Sequence, residues 1–319
     1  MFKHDFDFDP ANEYTEEQLL AIRPPDTPEG FDAFWEETFD RNLKIPVNVE
    51  RRPVESPDPE KELSQVFFDT WDGYRAGAWL VTPKNRTPSC GFVESHGYSG
   101  RDAAEFDPFV SDAAVIFPCA QGFGLSSSEE VPGLAANHVL HCIENRDAYI
   151  IRGCVAGIWS AATALLEMYP AIEDRLYFSG SSFGGGLGAL ALPWDNRFRK
   201  GYLKVPTFGH HPHRLKCPSV GSAESVRSYH VEHPEVLDVL RWYDAATAAT
   251  RIRTPVLGAP ALFDPAVPPR GQFAVTNALE GDSEVHILKA GHFEWEGTPE
   301  EERRLGEKLE AWFREGGRQ

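Results

Sequence analysis

The segment YFSGSSFGGGLGAL, residues 177–190, holds one Gly-x-Ser-x-Gly pattern, which is centred on Ser182. A nucleophile elbow needs this spacing because its serine occupies a strained turn, where side chains two positions away would collide. Ser179 and Ser181 lie beside the pattern but lack the two flanking glycines. The preceding RLYFSG predicts a strand and the following FGGGLGALALP predicts a helix. Ser182 is therefore the candidate nucleophile of a serine hydrolase.

A nucleophilic serine also needs a histidine base and a carboxylate that orients this base, and α/β hydrolases carry them in the order Ser, acid, His. Seven histidines follow Ser182, and His292 lies in the loop AGHFEW directly after the predicted strand SEVHILKA. Gly291 would let the backbone turn there. Asp264 ends the apolar run TPVLGAPALF, at the carboxyl end of a predicted strand, where sites on open sheets form. Asp264 and His292 are the predicted acid and base.

Other acids and histidines fit these roles less well. His286 lies inside the predicted strand SEVHILKA, which indicates a structural residue of the core. Asp238 and Asp244 fall in predicted helices, where solvated carboxylates are expected, and Asp282 lies in a predicted surface turn.

A cluster of three histidines, His210, His211 and His213, could suggest a metal site. Pro212 interrupts helical spacing, however, and no carboxylate is close in the sequence. The sequence therefore predicts no bound metal.

A second rival pattern is Gly184-x-Gly186-x-x-Ala189, which formally matches a dinucleotide fingerprint. These residues fall inside the predicted helix, and no second strand ending in an acid follows about 20 residues later. No Gly-Lys-Ser/Thr phosphate loop is present either. We therefore predict an enzyme without a cofactor.

An oxyanion hole needs two backbone N–H groups near the nucleophile. One is expected from Phe183, which follows the nucleophile and opens the predicted helix, whose dipole adds to the effect. The second is expected from the loop ESHGYSG after the third strand of the sheet, and we assign it to the N–H of Tyr98.

The elements that must position these groups alternate along the chain. Short apolar runs alternate with helical patterns, and such runs are typical of strands buried on both faces. They are GFVES, AAVIF, RLYFSG, KGYLKV, TPVLGAPALF and SEVHILKA. We predict a single α/β domain over residues 1–319, with a mostly parallel central sheet covered by helices. Residues 1–60 are predicted to form an N-terminal helical extension, and residues 206–250 a cap insertion over the site.

Composition and charge exclude several partners. The net charge of −18 argues against binding to nucleic acid or anionic membranes, since both need a basic surface. No run approaches the ~18 apolar residues of a membrane span. Five cysteines without C-x-x-C spacing indicate free thiols in a reducing compartment. The acidic start MFKHDFDFDP lacks the features of a signal peptide, so a cytoplasmic location is expected.

These motifs together resemble the acetyl xylan esterase / cephalosporin C deacetylase family, which is carbohydrate esterase family seven. The similarity is carried, in the order of the family, by PEGFDAFWEE, HGYSG, AQGFG, YIIRGCVAG, GSSFGGG, RIRTPVL, DPAVPP and AGHFEW. It covers nearly the whole chain.

The resemblance implies an α/β-hydrolase fold with Ser182, Asp264 and His292 as catalytic triad. It implies an oxyanion hole formed by the N–H groups of Tyr98 and Phe183. It further implies metal-free removal of acetyl groups from small acetylated sugars or cephalosporins, and a ring-like homohexamer that restricts access to the sites.

The sequence departs from the family at several positions. The family's Arg-Gly-Gln-Gly reads CAQG here, with Cys119 in place of the arginine, and Gly157 stands in place of an aspartate. A supporting ion pair is therefore predicted to be absent. The elbow usually reads Gly-Gly-Ser-Gln-Gly, whereas here Ser181 replaces a glycine and Phe183 replaces the glutamine.

The leading hypothesis is a carboxylesterase that acts on small acetylated sugars or similar esters. Two alternatives are a peptidase or C–C hydrolase of the same fold, and a non-catalytic scaffold relative. A peptidase would usually carry an additional domain that selects peptides, and a scaffold would have lost a member of the triad. The sequence shows neither feature.

Overall fold

The computed structural model describes residues 2–314, which form one nine-stranded sheet with helices on both faces. The strands are β1 Glu50–Val54, β2 Lys61–Asp69, β3 Arg75–Pro83, β4 Cys90–Ser95, β5 Ala113–Pro118, β6 Leu176–Ser181, β7 Phe198–Lys204, β8 Val256–Ala259 and β9 Glu284–Val285.

The strand order in the sheet is β1-β2-β3-β5-β4-β6-β7-β8-β9. Strands β1, β2, β3 and β5 pair antiparallel, whereas β5, β4, β6, β7, β8 and β9 pair parallel. The parallel strands therefore end at one edge of the sheet, where the loops after β4, β6 and β8 come together. This arrangement confirms the predicted α/β fold with a mostly parallel sheet.

Eleven α-helices occur within the described residues. They are α1 Glu16–Leu20, α2 Phe31–Leu43, α3 Ala135–His138, α4 Ile150–Met168, α5 Phe183–Ala191, α6 His211–Arg214, α7 Ser222–Glu232, α8 Val236–Leu240, α9 Ala245–Ala249, α10 Pro269–Thr276 and α11 Thr298–Arg314. Short 3₁₀ helices are formed by Trp71–Gly73, Gly124–Ser126, Pro170–Arg175 and Arg241–Tyr243.

Two apolar cores lie on opposite faces of the sheet. The larger one is built by α2, α4, α5, α9 and α10, with Trp35 and Trp159 fully buried in it. The smaller one is covered by α11, whose Phe313 ring lies 4.9 Å from the ring of Phe92. The sheet is thus buried on both faces, as the near-continuous apolar runs predict.

The predicted N-terminal extension is only partly helical. Residues 2–60 contain α1 and α2, but residues 50–54 form β1, the exposed edge strand of the sheet. Because β1 adds one strand, the loop that carries Tyr98 follows β4, the fourth strand along the chain, and not the third as predicted. The sequence ERRPV gave no strand signal, because all five side chains face solvent and none is selected for burial.

The segment of residues 206–250 holds four short helices, α6 to α9, between β7 and β8. Helix α9 packs against α5 and α10, α6 packs against α10, and α7 packs against α3. That this segment acts as a cap over the site stays a prediction.

The prediction that no segment has the length and hydropathy of a membrane span is wrong for helix α4. Its 19 residues have a mean hydropathy of 1.3, which meets both requirements by composition alone. In the fold, however, 78% of its apolar 18-residue window is buried inside the protein. Its apolar character is explained by its position between the sheet and α2.

Candidate active site

The turn between β6 and α5 has the geometry of a nucleophile elbow. Ser182 lies in this turn with φ 55° and ψ −114°, a strained conformation for a residue with a side chain. A Cβ on Gly180 would lie 2.5 Å from the carbonyl oxygen of Gly184, and one on Gly184 would lie 2.8 Å from the backbone of Ser95. Both glycines of the motif are therefore required by sterics, as the Gly-x-Ser-x-Gly spacing predicts.

The structure brings Ser182, His292 and Asp264 together. The Oγ of Ser182 lies 2.9 Å from Nε2 of His292, and Nδ1 of the same ring lies 2.8 Å from Oδ2 of Asp264. Because the ionised carboxylate can only accept, Nδ1–H donates to Asp264, and Nε2 is free to accept the proton of the serine hydroxyl. The three groups are held by the loops that follow β6, β8 and β9.

The carboxylate of Asp264 is fully enclosed in hydrogen bonds. Its side chain is 0% exposed, and Oδ1 accepts from the backbone N–H groups of Ala266 and Val267 at 2.9 Å. Oδ2 accepts from Nε2 of Gln272 at 2.8 Å in addition to His292. The donors leave the carboxylate one orientation, with Oδ2 towards the histidine.

Gln272 is a site residue that the sequence did not reveal. It lies in α10, and besides contacting Asp264 it accepts from the N–H of Ala261 at 2.7 Å.

Gly291 has a different role from the predicted one of letting the backbone turn. A Cβ at this position would lie 2.5 Å from Oδ2 of Asp264, so the missing side chain makes room for the carboxylate.

The surroundings of His292 act on its pKa in opposite directions. Burial of the imidazole lowers the pKa, whereas the charge and the hydrogen bond of Asp264 raise it. Lys204 contributes a smaller lowering. Asp264 prevails, and the pKa of His292 lies above its ordinary value of 6.5.

The two N–H groups predicted for the oxyanion hole lie beside the elbow. A Cβ on Gly97 would lie 3.8 Å from the Cβ of Ser182, so the loop that carries Tyr98 passes beside the elbow. The N–H of Phe183 is the first of α5 and has no partner within the helix. Within residues 2–314, no backbone acceptor takes either N–H, so both remain available to an oxyanion.

His96 holds the loop that carries Tyr98, and the sequence analysis did not identify this role. The N–H of Ala120 donates to Nε2 of His96 at 3.0 Å, so Nδ1 carries the proton and donates to the carbonyl oxygen of Gly97 at 2.6 Å. Burial lowers the pKa of this histidine to about 4, which keeps the ring neutral and maintains both hydrogen bonds at neutral pH.

The ring of Phe183 is buried in a cluster of aromatic side chains. It is 0% exposed and stacks on Tyr98 with 3.9 Å between the ring centroids. The rings of Phe208 and His138 pack against it in T-shaped arrangements, with centroid distances of 6.0 Å and 5.8 Å. Aromatic side chains therefore pack around the residues that carry these two N–H groups.

The histidine cluster of residues 210–213 does not form a metal site. The rings of His210 and His213 stack at 3.7 Å, while His211 is buried and lies 3.3 Å from the carbonyl oxygen of Tyr243. Among residues 2–314, no group of three His, Cys, Asp or Glu side chains is arranged to hold a metal ion.

Asp244 is not the solvated helix residue that the sequence suggested. It is 1% exposed and caps α9, where its side chain accepts from the N–H groups of Ala246 and Thr247. It also accepts from the N–H groups of His210 and His211. Its four backbone donors indicate a structural role. His286 is half-buried beyond the end of β9 and does not contact the elbow.

Cys119 and Gly157, which stand where the family has an arginine and an aspartate, lie together in the fold. Cys119 and Gly157 line the same small cavity, whose volume is about 10 Å³. A Cβ on Gly157 would meet no atom within 4 Å. The thiol of Cys119 is buried, and burial raises its pKa. An uncharged pair of residues thus occupies this position beside the end of β5.

Comparisons with known proteins agree with this geometry. A sequence model of the family described as acetyl xylan esterase matches residues 13–305. The fold is similar to acetyl xylan esterase 1 from Thermoanaerobacterium sp. JW/SL YS485, with a TM-score of 0.81, 21% identity, and coverage of 93% of this chain and 99% of that one. An acetyl xylan esterase from Paenibacillus sp. R4 gives the same TM-score and coverage at 23% identity.

A puromycin-hydrolysing peptidase from Mycobacterium tuberculosis is less similar. Its TM-score is 0.59 at 18% identity, and the match covers 82% of this chain but only 40% of the peptidase. The family match confirms the resemblance that the sequence motifs indicate. The chain therefore belongs to the acetyl xylan esterase family, as a serine carboxylesterase of the α/β-hydrolase fold.

Proposed function

We propose that Ser182, His292 and Asp264 form the catalytic triad of an esterase that removes acetyl groups from small acetylated sugars or similar esters. The observation that carries this proposal is the continuous series of hydrogen bonds from the Asp264 carboxylate through the imidazole to the serine hydroxyl. The two unpaired N–H groups beside the elbow support it. The acetyl xylan esterases of the same fold support the substrate class.

In the first half of the reaction, Oγ of Ser182 attacks the ester carbonyl carbon while Nε2 of His292 takes the hydroxyl proton. The negative charge on the carbonyl oxygen is stabilised by the N–H groups of Tyr98 and Phe183, and the imidazolium by Asp264. The tetrahedral intermediate collapses when His292 returns its proton to the leaving alcohol oxygen. This leaves an acetyl group on the serine as an ester.

In the second half, a water molecule attacks the acetyl-enzyme, and Nε2 of His292 takes its proton. The second tetrahedral intermediate uses the same two N–H groups. It collapses with release of acetate, and the proton returns from His292 to Oγ of Ser182, which restores the starting state. Both steps need the histidine to be neutral when the nucleophile attacks.

The aromatic cluster behind the oxyanion hole supports a short acyl group. Phe183 is fully buried, and the partly exposed ring of Tyr98 covers it. Because these rings are closely packed, an acyl chain long enough to reach them would need to displace them, and displacing a well-packed side chain is costly. We infer an acyl site that accommodates acetyl and little more.

We predict that 4-nitrophenyl acetate is hydrolysed at least about tenfold better, in kcat/KM, than the butyrate ester, which is about 1.4 kcal/mol of discrimination. The measurement is a series of nitrophenyl esters of increasing acyl length. Phe183→Leu removes part of the ring packing and should reduce this ratio. Equal or better rates with butyrate in the parent enzyme would contradict the acetyl assignment and leave a general carboxylesterase.

The pH dependence of kcat/KM is expected to report the titration of His292. At low pH the imidazole is protonated and cannot act as base, so activity should fall as the pH is lowered through the pKa of His292, which lies above 6.5. Glu94, whose pKa is raised to about 7 by burial, titrates in the same range. The variant Asp264→Asn separates the two groups, because loss of the carboxylate should move the acid limb to lower pH. A profile that stays flat between about pH 5 and 8 would exclude a neutral histidine base.

A further inference from the structure

The first residues of the chain lie along the loops that carry the acid and the base. Residues 2–10 are called the N-terminal strap below, and residues 2–8 alternate between two environments. Every second side chain is partly buried against the protein, namely Phe2, His4, Phe6 and Phe8. The side chains between them are exposed, namely Lys3, Asp5 and Asp7.

The inward side chains form an aromatic cluster with three rings of the two loops. Phe2 lies 4.9 Å from Phe263 and 5.6 Å from Phe293, measured between ring centroids. It also lies 5.3 Å from Trp295. Phe6 lies 6.4 Å from Phe293, and the rings of Phe263 and Phe293 lie 4.9 Å apart. The strap thus joins two loops that are distant in sequence.

Two of these rings are chain neighbours of the proposed acid and base. Phe263 directly precedes Asp264, and Phe293 directly follows His292. The backbone adds a further contact, because the N–H of Asp264 donates to the carbonyl oxygen of Pro10 at 3.2 Å. The strap therefore fixes the backbone on both sides of the 2.8 Å hydrogen bond between the carboxylate and the imidazole.

The loop that carries His292 is also joined to the acid loop by backbone hydrogen bonds. The N–H of Gly291 donates to the carbonyl oxygen of Phe263 at 2.8 Å, and the N–H of Leu262 donates to that of Leu288 at 2.9 Å. The histidine loop lies between β9, which has only two residues, and the start of α11 at residue 298. The backbone of His292 has φ 46°, and the side chain is 30% exposed. These backbone hydrogen bonds lie before His292, whereas Phe293 on its other side is contacted by the rings of Phe2, Phe6 and Phe263. Proton transfer needs the imidazole to be accurately placed, so the packing on this second side matters. The strap lies before residue 13, where the match to the family begins, so this support is additional to the family pattern.

We propose that the N-terminal strap is a positioning element of the active site, in which Phe2 and Phe6 hold the histidine loop against the acid loop. These side chains act through the backbone of their neighbours and do not touch the reacting atoms. The inference rests on the proposed roles of Asp264 and His292.

The test compares two double variants of the full-length enzyme. Phe2→Ala/Phe6→Ala removes the inward rings, and kcat for 4-nitrophenyl acetate should fall at least about tenfold with little change in KM, because misplacement of the base affects the transition state more than substrate binding. Asp5→Ala/Asp7→Ala changes the outward positions of the same segment and should retain the parental kcat. Phe2→Leu/Phe6→Leu keeps apolar volume at both positions and should therefore retain most of the parental kcat.

A spectroscopic measurement separates positioning from a general loss of stability. The proton of His292 on Nδ1 should give a downfield NMR signal in the parent and in Asp5→Ala/Asp7→Ala, and faster exchange with water should remove the signal in Phe2→Ala/Phe6→Ala. Retained kcat and retained signal in the inward variant would overturn the proposal, as would an equal loss of kcat in the outward variant. If Ser182→Ala abolishes hydrolysis while the inward variant remains fully active, the strap proposal fails and the proposed triad stands.

Discussion

Replacing Ser182 with alanine is expected to lower kcat for ester hydrolysis by about 10⁶-fold, as removal of the nucleophile does in other triads. The reason is that His292 and Asp264 act only through the serine hydroxyl, to which the imidazole is hydrogen-bonded at 2.9 Å. The oxyanion hole and substrate binding would remain and leave a residual acceleration of about 10³–10⁴ over water. The measurement is steady-state hydrolysis of 4-nitrophenyl acetate by the parent and the variant.

Ser181→Ala is the matched control for this experiment. Ser181 is the neighbouring hydroxyl in the same motif, but it lies at the end of β6 and lacks the strained turn conformation. The variant should keep most of the activity. If Ser181→Ala were inactive and Ser182→Ala active, the assignment of the elbow would be wrong by one residue.

Asp264→Asn should lower kcat by about 10⁴-fold, although the side chain keeps its size and shape. The amide can present its NH₂ group to the imidazole, which favours the tautomer with the proton on Nε2, and this nitrogen can then no longer accept the proton of Ser182. The backbone N–H groups of Ala266 and Val267 favour this orientation, because both donate to Oδ1 and hold the amide oxygen there, which leaves the NH₂ group towards the histidine. Kinetics with the acetate ester measure the loss.

Asp238→Asn is the control for the acid. This exposed carboxylate in α8 has the same chemistry as Asp264 but no contact with the triad, so the variant should have parental activity. Full activity of Asp264→Asn would refute the proposed acid and require another carboxylate near His292.

The elbow could be predicted from the sequence because its glycines have a fixed spacing around the serine. Gly180 prevents a collision with the backbone of Gly184, and Gly184 prevents one with the backbone of Ser95 on β4. Asp264 and His292 could be found because each follows an apolar run, and the ends of parallel strands meet at one edge of the sheet. The structure places these three side chains within hydrogen-bonding distance.

Residues that support the site through the way elements pack could not be predicted. Gln272 lies in α10 and has no motif, and its contact with Asp264 depends on how that helix packs. His96 accepts a hydrogen bond from the N–H of Ala120, which lies in the loop after β5 and not in the loop after β4 that carries His96. The alternation of aromatic and charged residues in the N-terminal strap is visible in the sequence, but its partners are defined only by the fold.

Two predictions are wrong because a local sequence pattern does not show which partners the fold brings near. The helical pattern predicts a solvated Asp244, whereas this residue caps α9 inside the protein. Residues 50–54 are predicted to belong to a helical extension, whereas they pair with β2 at the edge of the sheet. In both cases, polar groups form hydrogen bonds with backbone groups that come near them only in the folded chain.

Covalent labelling with a fluorophosphonate tests the central proposal most directly. This reagent phosphonylates a serine only when a neighbouring base activates it and an oxyanion hole accepts the P–O oxygen. Intact-protein mass spectrometry should show one adduct per chain, and tandem mass spectrometry of the peptide that contains residues 177–190 should locate it on Ser182. An adduct on Ser179, on Ser181 or on a residue outside this peptide, or no adduct at all, would contradict the proposed nucleophile.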